Sequence, residues 1–117
     1  RTLASSRYEF ALAYKIVTDY ALAQGFRVAL GFTCYAATGA EAWYQSDLLP
    51  GYFDALAGYQ GDSRVIKGAN LREALGVLAV TPASGPGLQS DLVHMNDPAY
   101  ALASLAWANA LEAAGVI

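Results

Sequence analysis

The sequence predicts an α/β fold with a parallel sheet, and two observations indicate it. First, residues 26–33 and 77–81 are short, mostly apolar runs without polar alternation, as in strands buried on both faces of a parallel sheet. Second, each run follows a helical segment that ends at a glycine, Gly25 or Gly76. A helix–glycine–strand unit that occurs twice is typical of α/β proteins.

The first helix is predicted over residues 6–24. Ser6-Arg7-Tyr8-Glu9 has the form of a capping box, which begins a helix. Apolar residues then recur at helical spacing on one side: Leu12, Ile16, Val17 and Tyr20. After the strand at 26–33, residues 34–39 are expected to form the loop at its carboxyl end, where open α/β sheets place their ligand sites.

The middle of the chain is predicted to be helical at two places. A short helix over residues 41–49 would end at Pro50-Gly51. Its Trp43 and Tyr44 would either line a pocket or cover the core, and residues 52–56 are ambiguous. Residues 63–75 are predicted to form a further helix, capped by Asp62 or Ser63. The residues on its apolar side are Val65, Ile66, Ala69 and Leu75.

The chain closes with a loop and a helix. Residues 82–89, which include Gly85-Pro86-Gly87, are expected to form the loop after the strand at 77–81. The last helix is predicted from Pro98 to Ala114, with Asn96 or Asp97 as its cap and Gly115 as its end. Its apolar residues are Leu102, Leu105, Trp107 and Leu111.

Two buried parallel strands are too few for a stable sheet, because they cannot cover each other. Either another segment supplies the rest of the sheet, or the count of two strands is wrong.

Length and composition fit one small globular domain over residues 1–117, or the C-terminal part of a larger one. The net charge of −3 and the absence of a basic patch argue against nucleic acid and anionic membrane surfaces as partners. No apolar run approaches the roughly 18–20 residues of a membrane span. The chain begins at Arg1 without a signal-peptide pattern, so we expect an upstream segment to have been removed or carried elsewhere.

Cysteine and metal chemistry are not indicated. The single cysteine, Cys34, cannot form an internal disulfide, and a buried small-residue role suits it better than a nucleophilic one. One histidine and scattered carboxylates do not form a metal-ligand cluster. No cofactor is expected.

The segment Asp91-Leu92-Val93-His94 carries the residues best suited to catalysis. His94 is the only histidine, and a carboxylate lies three residues before it. In a catalytic pair the Asp accepts a hydrogen bond from one ring nitrogen, which fixes the tautomer and leaves the other nitrogen as a general base. The alternative is that Asp91 and His94 merely brace a loop before an ordinary helix start.

The extended segment resembles a known family. Asp91-x-x-His94-x-Asn96-Asp97, running into Pro98-Ala99-Tyr100-Ala101-Leu102-Ala103, is similar to the last conserved block of SGNH/GDSL-type esterases and lipases. The resemblance implies a flavodoxin-like α/β/α sandwich of about five parallel strands, with this chain as its C-terminal portion. It also implies that Asp91 and His94 complete a Ser–His–Asp triad acting on a small-molecule, glycan or lipid ester. Many members of the family are secreted, which favours that location here.

The sequence departs from the family at the nucleophile. No nucleophile block lies near the N-terminus, and no Gly-x-Asn-Asp block is present to supply an oxyanion donor. Gly61-Asp62-Ser63 matches the family's Gly-Asp-Ser in letters, but it follows Ala57-Gly58-Tyr59-Gln60 and not an apolar strand. A helix cap accounts for Asp62 and Ser63, so Ser63 is not assigned as the nucleophile.

The nucleophile and the oxyanion donors are therefore expected on a missing N-terminal segment or a companion polypeptide. Two other interpretations stay open. The chain would be a non-catalytic α/β binding or assembly domain, or a degenerate hydrolase that keeps the fold and has lost the nucleophile.

Overall fold

The chain folds into helices around two short pairs of parallel strands. A computed structural model describes residues 3–33, 35–36, 42–78, 85–89 and 94–117. In chain order the elements are α1 (Leu3–Ala23), β1 (Val28–Phe32), β2 (Tyr35–Ala36), α2 (Ala42–Ala57), β3 (Val65–Asn70), α3 (Leu71–Leu75), β4 (Val77–Leu78) and α4 (Asp97–Ala113). The prediction of a mixed α/β structure is confirmed.

The strands pair in parallel, as predicted. β1 pairs with β3, so that Val28 lies beside Val65, and the register shifts between Leu30 and Phe32. β2 pairs with β4. Because only residues 33 and 34 separate β1 from β2, the second pair lies beyond the carboxyl ends of the first.

One face of the β1–β3 pair packs against α1 and α2. Leu30 and Phe32 of β1 form a buried cluster with Tyr52 of α2, and Phe10 and Tyr14 of α1 pack against it. The Phe32 ring lies 5.9 Å from Phe10 and 5.4 Å from Tyr52, centroid to centroid. These contacts make the aromatic cluster the main core on this side of the sheet.

The opposite face packs against α4 through one large side chain. Trp107 lies over Gly31 of β1 and Gly68 of β3, where a Cβ atom would lie 2.5 Å and 2.6 Å from its ring carbons. Because neighbouring side chains of a strand point to opposite faces, Leu30 and Gly31 serve the two sides of the pair. Helices therefore cover both faces of the β1–β3 pair.

The structure corrects the prediction of a helix over residues 63–75. Residues Val65–Asn70 form β3, and only Leu71–Leu75 are helical. Val65 and Ile66 are β-branched and Gly68 is a poor helix former, so this segment favours a strand that has a partner in β1. The two predicted strands were therefore too few.

The predicted helix cap at Asp62 or Ser63 is also wrong. The Asp62 carboxylate accepts hydrogen bonds from the Arg64 backbone N–H at 2.9 Å and from the Arg64 guanidinium, within the turn before β3. The cap of α3 is Asn70, whose Oδ1 accepts from the Glu73 N–H at 3.2 Å.

Pro50-Gly51 does not end the second helix, because α2 continues to Ala57. Packing of the buried residues Tyr52 and Ala55 outweighs the backbone hydrogen bond that Pro50 cannot donate. Gly51 lets α1 approach closely, since a Cβ there would lie 2.7 Å from the Arg7 carbonyl oxygen.

The bounds of the remaining elements are close to the predicted ones, but the predicted capping box is wrong. α1 begins at Leu3, so Ser6 lies inside the helix, where it is buried. α1 and β1 lie within a few residues of their predicted bounds, and α4 begins at the predicted cap, Asn96. β4 includes Val77–Leu78, and residues 79–81 of the predicted strand lie outside the described residues. In the described part of the chain, no helix has the length and apolar character needed to cross a membrane.

Candidate functional site

His94 lies on the loop between β4 and α4 and is exposed to solvent. The backbone fixes its position, because the Gln89 N–H donates a 2.8 Å hydrogen bond to the His94 carbonyl. Leu88 and Met95 form an antiparallel bridge beside it. The two short segments 88–89 and 94–95 therefore run side by side and close the loop at its base.

Asp91 belongs to residues 90–93, which lie outside the described residues. The pairing of Asp91 with His94 stays a prediction.

Asn96 fastens this loop to the start of α4. Its Oδ1 accepts hydrogen bonds from the N–H groups of Gly87, at 3.0 Å, and Ala99, at 3.1 Å, while its Nδ2 donates to the Gly85 carbonyl at 2.7 Å. The side chain is thus both the cap of α4 and the link to the segment arriving from β4. Because Asn96 is buried, these bonds form away from competing water.

A buried apolar cluster lies beneath the same loop. Leu88 and Ala99 pack with Leu78 of β4 in a buried cluster, and Leu75 and Met95 lie against it. His94 is therefore an exposed residue next to a partly buried one, Met95, in a loop that is anchored at its base. This arrangement holds the backbone of His94 in place and leaves the residue accessible to solvent.

From the sequence, Asn96 was predicted only as a possible cap of the last helix. Its bonds to Gly85 and Gly87 depend on how the chain returns from β4, which short-range patterns do not indicate. The one available signal was the polar Asn96 so close to Gly85-Pro86-Gly87, a glycine-rich loop in need of hydrogen-bond partners.

Ser63 lies at the other end of β3 from this loop. It is exposed in the turn before β3, in a groove of about 490 Å³ that also includes Asp62 and Lys67. β3 itself spans roughly 20 Å at about 3.3 Å per residue. Since the loop of His94 packs on β4, beyond the carboxyl end of β3, the described residues do not bring Ser63 and His94 together.

The electrostatics of the Gly61-Asp62-Ser63 turn are explained by Arg64. Hydrogen bonds from the Arg64 side chain, and then from its backbone, hold the pKa of Asp62 below its usual value. The Asp62 carboxylate thus binds its neighbour Arg64 within the turn. This contact gives Asp62 a structural role.

The other predicted site residues are not placed by these contacts. Trp43 and Tyr44 lie in the first turn of α2, and their side chains are outside the described part of the structure, as is Cys34. Among residues 3–33, 35–36, 42–78, 85–89 and 94–117, no group of three or more His, Cys, Asp or Glu residues is positioned to hold a metal ion.

Comparison of the chain with protein-family models, with curated proteins and with solved structures finds no match.

Proposed function

We propose that this chain supplies the general base and its orienting acid in a serine-type carboxylic ester hydrolase of the SGNH/GDSL type. His94 is the base and Asp91 is the acid. The observation that carries the proposal is the combination of an exposed His94 with a backbone fixed on both sides, by Gln89 and by the Asn96 cap. A catalytic histidine needs both access to the substrate and a fixed position.

In the complete site, His94 would remove the proton of the nucleophilic serine as the serine oxygen attacks the ester carbonyl. When the tetrahedral intermediate collapses, His94 would return that proton to the leaving alcohol, and an acyl-enzyme remains. His94 would then activate water to hydrolyse the acyl-enzyme. Asp91 would orient the imidazole and stabilise its protonated form.

The nucleophile and the oxyanion donors would come from a segment outside these 117 residues or from a companion polypeptide. Oxyanion donors are commonly worth about 3–4 kcal/mol each in acyl transfer. The proposal therefore assigns to this chain the proton transfer, and to the other segment the nucleophile and the stabilisation of charge.

The flavodoxin-like form of the fold belongs to the same proposal. Parallel pairing and helices on both faces of the β1–β3 pair support it. Additional strands would pair at the edge of β1 away from β3.

A fluorophosphonate probe tests the proposal, because it labels only serines that an adjacent base activates. We expect the native material to carry the label on a second polypeptide or on an upstream segment, as read from the intact masses under denaturing conditions. The His94→Ala variant should lose the label, and Leu105→Gln, which replaces an exposed residue of α4, should keep it. A label on Ser63 would overturn the location of the nucleophile, and absence of any label would favour a non-catalytic domain.

A second candidate function, a non-catalytic assembly domain, is favoured by one observation. The outward side of α1 carries large exposed apolar residues, among them Ile16 and Tyr20. Such a surface is typical of protein–protein contacts. In this case His94 would brace the loop, and its replacement would lower stability with no activity to lose.

A further inference from the structure

The outward side of α1 is apolar, although α1 already packs against the core with its inward side. Phe10 and Tyr14 point into the aromatic cluster. Four large apolar residues on the other side are between 39% and 70% exposed: Tyr8, Leu12, Ile16 and Tyr20. We call these four the outer α1 surface. Val17 is also exposed, but it lies seven residues after Phe10 and therefore on the inward side of the helix. The sequence predicted an apolar side with Leu12, Ile16, Val17 and Tyr20, and in the described structure all four are exposed.

The size of this surface matches one half of an ordinary protein interface. At about 150–250 Å² for a full aromatic side chain, two tyrosines that are two-thirds exposed present roughly 250 Å². With Leu12 and Ile16 the outer α1 surface reaches roughly 400 Å², within the range of about 300–600 Å² for the largest apolar patch on a monomer. A standard interface buries about 800 Å² on each partner, of which roughly 500 Å² is apolar.

The spacing of the residues is self-complementary. Tyr8, Leu12, Ile16 and Tyr20 follow one another at intervals of four, with a tyrosine at each end and an aliphatic residue at each inner position. A twofold axis near residue 14 would place Tyr8 beside Tyr20 of a second copy and Leu12 beside its Ile16. Ridges of this spacing interlock when two helices cross at about −50°, the commonest class of helix packing.

A groove beside the outer α1 surface offers a place for an aromatic anchor. It lies between α1 and α2 and has a volume of about 380 Å³. Its walls include Tyr8, Leu12, Ala55 and Gly58. Under the same twofold axis, Tyr20 of the second copy would lie next to Tyr8 and over this groove. Aromatic side chains in such pockets carry much of the energy of protein interfaces.

Four of the charged groups that border this surface have partners within the chain. Lys15 pairs with Asp19 at 2.6 Å, and Asp19 also accepts from the Tyr59 hydroxyl at 2.5 Å. Arg7 and Asp54 form a two-bond ion pair at the groove. A second copy could therefore cover the surface without separating these charges from their partners.

The exposed edge of β3 is a less suitable contact. Lys67 lies in that strand and is exposed, and a lysine on an edge strand opposes pairing with another chain. The four residues of the outer α1 surface carry no charge, and one further acidic residue beside them, the exposed Glu9, lies three residues before Leu12.

We propose that two copies of this chain associate through the outer α1 surface as an antiparallel, twofold-symmetric pair. The inference does not depend on the proposed hydrolase activity, because it uses no residue of the loop that carries His94.

Sedimentation equilibrium of the full chain over a concentration series tests this proposal. We expect a reversible dimer with a Kd in the micromolar range, and an increase in Kd of at least tenfold in the double variant Ile16→Gln/Tyr20→Gln. The matched control is Leu105→Gln, which replaces an apolar residue of α4 that is 55% exposed. This control should leave the Kd unchanged, and circular dichroism should show that all three proteins are folded.

The register is tested by cross-linking. In a Cys34→Ser background, a mixture of the Leu12→Cys and Ile16→Cys variants should form a disulfide-linked dimer on mild oxidation, because the proposed axis places these two positions side by side. A mixture of Leu12→Cys and Tyr100→Cys, which carries its cysteine on α4, should not. A monomer at all concentrations overturns the proposal, as does a dimer unaffected by Ile16→Gln/Tyr20→Gln. A complex of this surface with a different polypeptide, without self-association, would equally rule out a second copy as the occupant.

Discussion

The Asn96 side chain and the Gly87 backbone lie 3.0 Å apart, joined by a hydrogen bond from the Gly87 N–H to Asn96 Oδ1. The same oxygen accepts from Ala99 in the first turn of α4. One side chain thus holds both the loop after β4 and the first turn of α4. His94 lies two residues before Asn96. The position of His94 therefore depends on Asn96.

Replacing Asn96 with Ala should destabilise the chain by about 2–4 kcal/mol, because it removes a helix cap and leaves buried N–H groups without acceptors. The variant Asn96→Asp keeps both acceptor bonds and loses only the donor to Gly85, so its loss should be smaller. Urea denaturation followed by circular dichroism measures both. Equal losses in the two variants would show that the acceptor bonds contribute little.

Replacing His94 with Ala should separate catalysis from stability. In the complete assembly we expect ester hydrolysis to fall by about 10²–10⁴-fold, as for loss of a general base. The melting temperature should change little, since replacement of an exposed residue usually alters stability by less than about 0.5 kcal/mol. Turnover of a chromogenic ester and a thermal melt on the same samples measure the two effects. A clear fall in melting temperature without any esterase activity to lose would instead favour a bracing role.

Some elements with local signals were predicted well from the sequence, although the helix end at Pro50-Gly51 and the cap at Asp62 or Ser63 were not. α4 begins at Asn96 because an amide cap followed by Pro98 is a strong start signal, and Gly115 beyond its end has a positive φ of 75°. The glycines of Gly85-Pro86-Gly87 likewise predicted a loop between the strand that contains β4 and the last helix. These features depend on neighbouring residues, which the sequence shows directly.

Elements that depend on distant contacts were predicted poorly. The apolar spacing of Val65, Ile66 and Ala69 fits a helix as well as a strand, and only pairing with β1 decides between them. The inward side of α1 could not be told from the outward side, since both are apolar. Similarly, the additional bonds of Asn96 involve Gly85 and Gly87, which the fold brings back to it.

The contact of Trp107 with Gly68 gives a prediction about the β1–β3 pair. Gly68→Ala would place a Cβ 2.6 Å from the Trp107 ring and 2.8 Å from the Leu30 carbonyl, so we expect a loss of about 1–3 kcal/mol. In a Trp107→Leu background the same substitution should cost less, because a smaller side chain lies over the strand. A double-mutant cycle by urea denaturation measures the difference.

Gly85→Ala is the control for this cycle, because a Cβ at Gly85 would meet no described atom within 4 Å. It should change stability by less than about 0.5 kcal/mol. If Gly68→Ala lowers the free energy of unfolding equally with Trp107 and with Leu at position 107, the clash with the tryptophan ring does not cause the loss.

The buried Tyr52 hydroxyl should make the chain sensitive to alkaline pH. Burial, followed by the nearby Tyr14 and Glu73 side chains, raises the pKa of Tyr52 to about 12 from the usual 10.0. The hydroxyl donates to the Leu30 carbonyl at 3.0 Å, and the ionised form could not make this bond. Because the folded state holds the proton more tightly, the stabilisation is complete below pH 10 and is lost as the pH rises towards about 12. A shift of this size corresponds to about 2–3 kcal/mol.

The variant Tyr52→Phe should therefore be less stable than the wild type at pH 8, by about 1 kcal/mol for the lost hydrogen bond. Between pH 10 and 12 its stability should fall less steeply than that of the wild type, because one titrating group has been removed. Part of the slope will remain, since burial and the Asp19 hydrogen bond also raise the pKa of Tyr59 to about 12. Denaturation midpoints across this pH range measure the effect. The control is Tyr100→Phe, which replaces an exposed tyrosine of α4. Identical slopes in the wild type and Tyr52→Phe would mean that Tyr52 does not titrate in this range in the folded chain.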